Sequence, residues 1–116
     1  MYVDEVKFFA FTGNELPNSN HRRYGKRFNI QYISRIGYEV HLKDCRLGNI
    51  YVKSNACLYN QQGKPISKNE YTYTWANSNG NCNYTGSFWV SWRRGTYKLQ
   101  IWIGDVKIKK FFFEIV

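Results

Sequence analysis

Residues 92–116, WRRGTYKLQIWIGDVKIKKFFFEIV, decide the fold. Tyr97, Leu99, Ile101 and Ile103 alternate with Lys98, Gln100 and Trp102. That period of two turns one face of a strand to a core and the other to water. Gly104-Asp105 then supplies a tight hairpin turn, because glycine adopts positive φ at no steric cost. The chain returns through Val106 and Ile108, after which Phe111, Phe113 and Ile115 lie on the opposite parity. The slip predicts a β-bulge near Lys109-Lys110 that restores the core face.

Working outward, the same signals recur. Tyr84 to Trp92 reads as a strand with Phe88 and Val90 inward, after an Asn/Gly/Ser loop over Ala76 to Asn83. Glu70 to Trp75 and Ile50 to Tyr59 read as further strands, the second with Val52, Ala56 and Leu58 inward. Between them Asn60 to Pro65 turns the chain on Gly63. From Phe28 to Leu42 the even positions are apolar except Ser34, which predicts one long strand bent around Ser34 to Gly37. Glu39 and His41 fall on its wet face and read as an exposed surface pair rather than an acid–base pair. A basic run, His21 to Arg27, reads as a solvated loop, although such clusters also dock phosphates. A first strand lies near Val6 to Phe11.

Short strands joined by turn signals, with no period of 3.6, predict an all-β domain: an antiparallel immunoglobulin-like β-sandwich of about seven strands. A closed five-stranded barrel is the alternative. The chain is expected to form a single domain over 1–116, with an N-terminal strand and basic loop over 1–27 and the main body over 28–116. The predicted core contains Phe28, Ile30, Val40, Leu99, Ile101 and Phe113.

Composition narrows the class. A chain of 116 residues can bury roughly two thirds of its unfolded surface. Aromatics make up 19% of it, which favours strands and offers amphipathic contact surface. The mean hydropathy of −0.58 and the lack of a long apolar run argue against a membrane span. The N-terminus, MYVDEVKFFAFTG, carries early carboxylates that do not suit a signal peptide, so either a cytoplasmic protein or a fragment of a longer one is expected. The net charge of +9 favours acidic partners or simply keeps a tyrosine-rich sheet protein in solution. Cys45, Cys57 and Cys82 form no C-x-x-C pair and are expected to be free thiols. Asn83-Tyr84-Thr85 is a glycosylation sequon, with meaning only in a secreted eukaryotic chain.

Three segments carry a resemblance. Ser34 to Leu42, SRIGYEVHL, resembles an aromatic-aliphatic strand of the form RYIYWELNL, with Ile36, Glu39 and Leu42 matching and Tyr38 in place of a tryptophan. Ala56 to Tyr59 followed by Gly63 is similar to an A-x-x-Y-x-x-D-G strand and turn without its aspartate. Trp92-x-x-Gly95-Thr96-Tyr97 with Phe113-Glu114-Ile115 resembles a W-x-x-G-x-Y…F-E-I ending. Together they resemble a bacterial C-terminal β-sandwich accessory module found fused to AAA+ ATPase, caspase-like or helical-repeat regions. The resemblance implies a role in sensing, docking or regulation, and brings no catalytic residue.

The eight carboxylates are scattered, and no metal-ligand or Ser/His/Asp spacing stands out, so a non-enzyme without cofactor or metal is expected. Parity leaves Tyr51, Tyr59, Trp89, Trp102 and Phe112 opposite the inward residues. The expected binding surface combines Trp89, Trp102 and Phe112 with Lys98, Lys107 and Lys109, and suits a protein partner with an apolar centre and an acidic rim. A carbohydrate-binding module using the aromatic platform and a basic nucleic-acid-binding domain are the alternatives. Salt dependence separates them, because only nucleic-acid affinity must fall steeply with ionic strength.

Overall fold

A computed structural model describes residues 2–18, 20–45, 51–74, 80–90, 93–103 and 106–116, with backbone alone at 2, 44–45, 51–56, 70–74, 80–82, 103 and 106–108. Seven long strands form: β1 (Tyr2–Phe11), β4 (Arg35–Cys45), β5 (Tyr51–Tyr59), β6 (Pro65–Thr74), β7 (Gly80–Trp89), β8 (Gly95–Ile103) and β9 (Val106–Ile115). Two short ones, β2 (Tyr24–Gly25) and β3 (Arg27–Phe28), are added to them. One sheet has the order β2-β1-β4-β7 and the other β3-β9-β8-β5-β6. Every pairing is antiparallel except β3 on β9. The expected sandwich stands, and the barrel does not.

The core is the dry layer between the sheets. One sheet contributes Val6, Phe8, Ile36, Tyr38, Val40, Leu42, Tyr84 and Phe88, and the other Leu58, Tyr97, Leu99, Ile101, Phe113 and Ile115. Both sets follow the period of two read from the sequence. Phe28 closes one end and is buried as expected, whereas Ile30 is only half-buried. The hairpin also forms as read: Ile103 pairs with Val106 across the turn, whose residues 104–105 lie outside those described. Its bulge comes slightly early. Ile101 faces Lys109 while Trp102 faces Lys107, so Ile108 is the extra residue.

Three expectations are corrected. Phe28 to Leu42 is not one bent strand, because a 3-10 turn over Ile30–Tyr32 separates β3 from β4. Asn29 starts it, its side chain accepting the Gln31 amide at 2.9 Å and its carbonyl accepting the Tyr32 amide at 3.0 Å. A local side-chain bond here outcompetes the strand that the apolar alternation favours. The break lets β3 cross to the second sheet, where the Val116 amide donates to the Phe28 carbonyl at 2.8 Å and the Ile30 amide to the Val116 carbonyl at 3.0 Å. Secondly, Gly80 to Asn83 belongs to β7 rather than to a loop, because it pairs with the far end of β4. Thirdly, the basic run holds β2 and the start of β3 rather than a free loop.

Long sheets on both sides of the core expose two long edge strands, β6 and β7. Asn69 of β6 ties them together, donating to the Tyr38 hydroxyl at 3.0 Å and to the Ser87 carbonyl at 3.2 Å. On the opposite surface of the first sheet, the Phe9 ring lies flat against Gly37. A Cβ at Gly37 would come within 2.3 Å of that ring. Phe9 is fully buried and cannot swing into water without losing its contacts. Gly37→Ala is therefore expected to destabilise the domain by about 1–3 kcal/mol through overpacking. Urea unfolding curves measure it, and an unchanged midpoint would show that the ring shifts freely.

Candidate functional site

The second sheet turns Lys98, Gln100 and Trp102 away from the core face of Tyr97, Leu99 and Ile101, with Gln100 itself buried between its neighbours. Cross-strand register sets their neighbours. Lys98 lies between Tyr59 and Phe112, Gln100 between Cys57 and Lys110, and Trp102 opposite Lys107. The Lys98 ammonium sits 4.6 Å from the centre of the Tyr59 ring. Phe112 is 54% exposed, and Lys110 is exposed beside it on the same face of β9. Trp102 is half-buried, and the Lys107 side chain lies outside those described.

The structure therefore brings together Lys98, Phe112 and Trp102, and adds Tyr59 and Lys110. Lys109 instead pairs with the buried Ile101 and so falls on the opposite face of β9, because the bulge at Ile108 shifts the parity there. Trp89 leaves the set. It ends β7 in the other sheet, opposite Arg35, whose guanidinium lies 4.4 Å from its ring. Parity tells which face of a strand a residue occupies, but not which sheet the strand joins.

The outer face of the first sheet holds what the sequence reading missed. Glu39 is buried, not an exposed member of a surface pair. Its Oε2 accepts from the Tyr24 hydroxyl at 2.6 Å and from Arg22 Nη1 at 2.7 Å, and its Oε1 lies 2.5 Å from His41 Nε2. Arg22 is held in turn by the Pro17 carbonyl at 2.8 Å and by the Phe9 ring, 4.9 Å from its guanidinium. Further along, Arg35 lies between Phe11 and Trp89. The segment around β2 thus folds over the sheet and roofs it with aromatic and guanidinium planes. One signal for this was present. Phe8, Phe9 and Phe11 put apolar residues on both faces of β1, the mark of a strand covered on both sides.

Burial alone would raise the Glu39 carboxyl, but hydrogen bonds from Tyr24, Arg22 and His41 outweigh it and hold the group below the usual range. The Tyr24 hydroxyl is pushed up, first by its bond to the carboxylate and then by burial. A carboxylate that is ionised and occupied on both oxygens is a poor proton donor and has little room for a substrate. The cluster reads chemically as a clamp for the β2 segment. Among the described residues no group of three His, Cys, Asp or Glu lies close enough to hold a metal ion. Likewise, no helix among them is long and apolar enough to cross a membrane.

No protein-family model matches the chain, and no curated protein matches it in sequence. The likeness lies in the solved structures. An immunoglobulin-like protein from Pseudomonas aeruginosa matches with a TM-score of 0.51 over 99% of this chain and 95% of its own, at 11% identity. At that identity the likeness shows architecture alone: the chain is an all-β sandwich of immunoglobulin-like fold.

Proposed function

We propose that the chain is a non-catalytic accessory module of a bacterial, cytoplasmic system that docks a protein partner through the outer face of β5, β8 and β9. The observation that carries this reading is Phe112. It is more than half exposed on a strand, with Lys98 across from it and Lys110 beside it on the same face. An exposed aromatic anchor ringed by lysines suits a partner with an apolar centre and acidic rim. The net charge of +9 adds long-range attraction for such a partner. Cys57, a buried free thiol, fits a reducing compartment. The immunoglobulin-like fold and the clamped state of Glu39 support a non-catalytic role.

Phe112 is a cleaner test than Trp102, whose half-burial mixes packing with contact. Phe112→Ala is expected to change stability by less than about 1 kcal/mol while abolishing capture of the partner from cell extract. Lys98→Glu with Lys110→Glu should weaken capture through charge reversal alone. Capture that survives Phe112→Ala overturns the reading. Capture that disappears after nuclease treatment moves the domain to nucleic-acid binding.

A further inference from the structure

A cleft of about 380 Å³ opens at one end of the sandwich, between the β5–β6 turn and the start of β8. It is separate from the docking face, and its lining has a consistent chemistry. Gln61 and Gln62 come from the turn, and Arg93 and Arg94 from the segment entering β8. Exposed Ile66 gives the cleft an apolar side, and Tyr97 reaches it from the core. Among the described residues no carboxylate lines it, and neither guanidinium has an ion-pair partner.

Several interactions fix the frame that carries these groups. Asn60 holds the turn, its side chain accepting the Gln62 amide at 3.0 Å and the Lys64 amide at 2.9 Å. Gln61 Oε1 accepts the Thr96 amide at 3.1 Å, which joins the turn to β8 and commits the acceptor end of that side chain. Its amide nitrogen remains a donor. Gly95 makes this approach possible, because a Cβ there would lie 2.6 Å from the same Gln61 oxygen and the backbone sits at φ +151°. The buried Tyr97 hydroxyl donates to the Arg93 carbonyl and anchors the arginine pair at its root. The Gly95 and Tyr97 positions thus serve to hold two cations and an amide donor around one opening.

We infer that this cleft binds the phosphate of a small phosphate monoester whose organic body rests on Ile66. Two guanidinium groups without an ion-pair partner among the described residues call for close to two negative charges. A phosphate monoester carries about that charge at neutral pH, with oxygens enough for both forks and the Gln61 amide. A carboxylate offers half the charge and fewer acceptors.

The test is a calorimetric or NMR titration with phenyl phosphate, inorganic phosphate and benzoate at ionic strength matched with sodium chloride. Saturable binding of phenyl phosphate is expected, tighter than that of inorganic phosphate, which lacks the organic body, and tighter than that of benzoate. Arg93→Gln and Arg94→Gln should each weaken it about tenfold or more while leaving the ligand-free melting temperature unchanged. Arg23→Gln, an exposed arginine of the basic run, serves as the control and should leave it intact. Absence of saturation overturns the proposal. So does equal weakening by Arg23→Gln, which would reduce the effect to general electrostatics, and so does benzoate binding as tightly as phenyl phosphate.

Discussion

Phe113→Ala is expected to destabilise the domain by about 3–5 kcal/mol, the usual cost of deleting a buried phenyl ring and leaving its cavity. The ring is only 3% exposed and joins otherwise separate parts of the chain. Its centre lies 4.8 Å from that of Phe8 in the opposite sheet, 5.4 Å from that of Tyr97 on the neighbouring strand and 6.3 Å from that of Phe28 in β3. These neighbours belong to different strands and cannot all collapse into the vacated space. Partial relaxation is what places a substitution at the costly end of the range. For a domain of this size the loss lowers the melting temperature by roughly 10–20 °C. Phe113→Leu, which keeps most of the volume, should cost less than half as much. Urea unfolding followed by tryptophan fluorescence decides it. A loss below about 1 kcal/mol for the alanine variant would mean that Phe113 does not link the sheets.

Glu39→Gln should produce the second largest effect, and its size should depend on pH. At neutral pH the amide keeps the shape but loses the charge facing Arg22, at an expected cost of about 2–3 kcal/mol. The folded-state pKa of Glu39 is lowered, so its stabilisation is complete above the unfolded value of 4.5 and is lost as pH falls through the folded value. The gap between wild type and variant should therefore close in acid. Tyr24 acts at the other end. Its pKa is raised above 10.0, so its contribution is complete below that pH and is lost as pH rises through the folded value. Tyr24→Phe should flatten the alkaline limb and, by removing one of the bonds that lower the Glu39 carboxyl, also shrink the acid limb. A difference between Glu39→Gln and wild type that does not vary between pH 7 and pH 3 would remove the clamp from the account.

The hairpin was legible because Tyr97, Leu99 and Ile101 obey a strict alternation that only one register satisfies. The core followed from it, since a two-residue period leaves no choice of face. What could not be read was anything that depends on distant partners. Glu39 sits on the polar parity of β4, and the groups that bury it, Arg22 and Tyr24, come from a segment that reads as a solvated run. Nothing local to β4 announces them. Trp89 failed for a related reason: its outward parity was right, but the assignment of β7 to the first sheet comes from the crossovers and not from the strand. The break after Phe28 rests on a single asparagine side chain, which periodicity over a long window averages away. Lys98, Trp102 and Phe112 share one hairpin, so parity alone puts them on one face, whereas the bulge at Ile108 takes Lys109 off it. The arginine cleft joins two loops far apart in sequence, and only the folded chain brings them together.

The parallel pairing of β3 with β9 has a consequence for how the chain is made. Arg27 and Phe28 find their register against Glu114 and Ile115, and the backbone of Ile30 closes on Val116. At ordinary elongation rates the ribosome adds residues 114–116 about 4–17 s after residue 27. Over that interval the second sheet lacks β9, and Phe28 has no strand to seat it. The nascent chain must then stay soluble by charge or by chaperone binding, and the sandwich can shut only when its last strand emerges. A truncation that stops short of Glu114 would leave Phe28 without the strand that seats it, so closure of the fold at this end waits for β9.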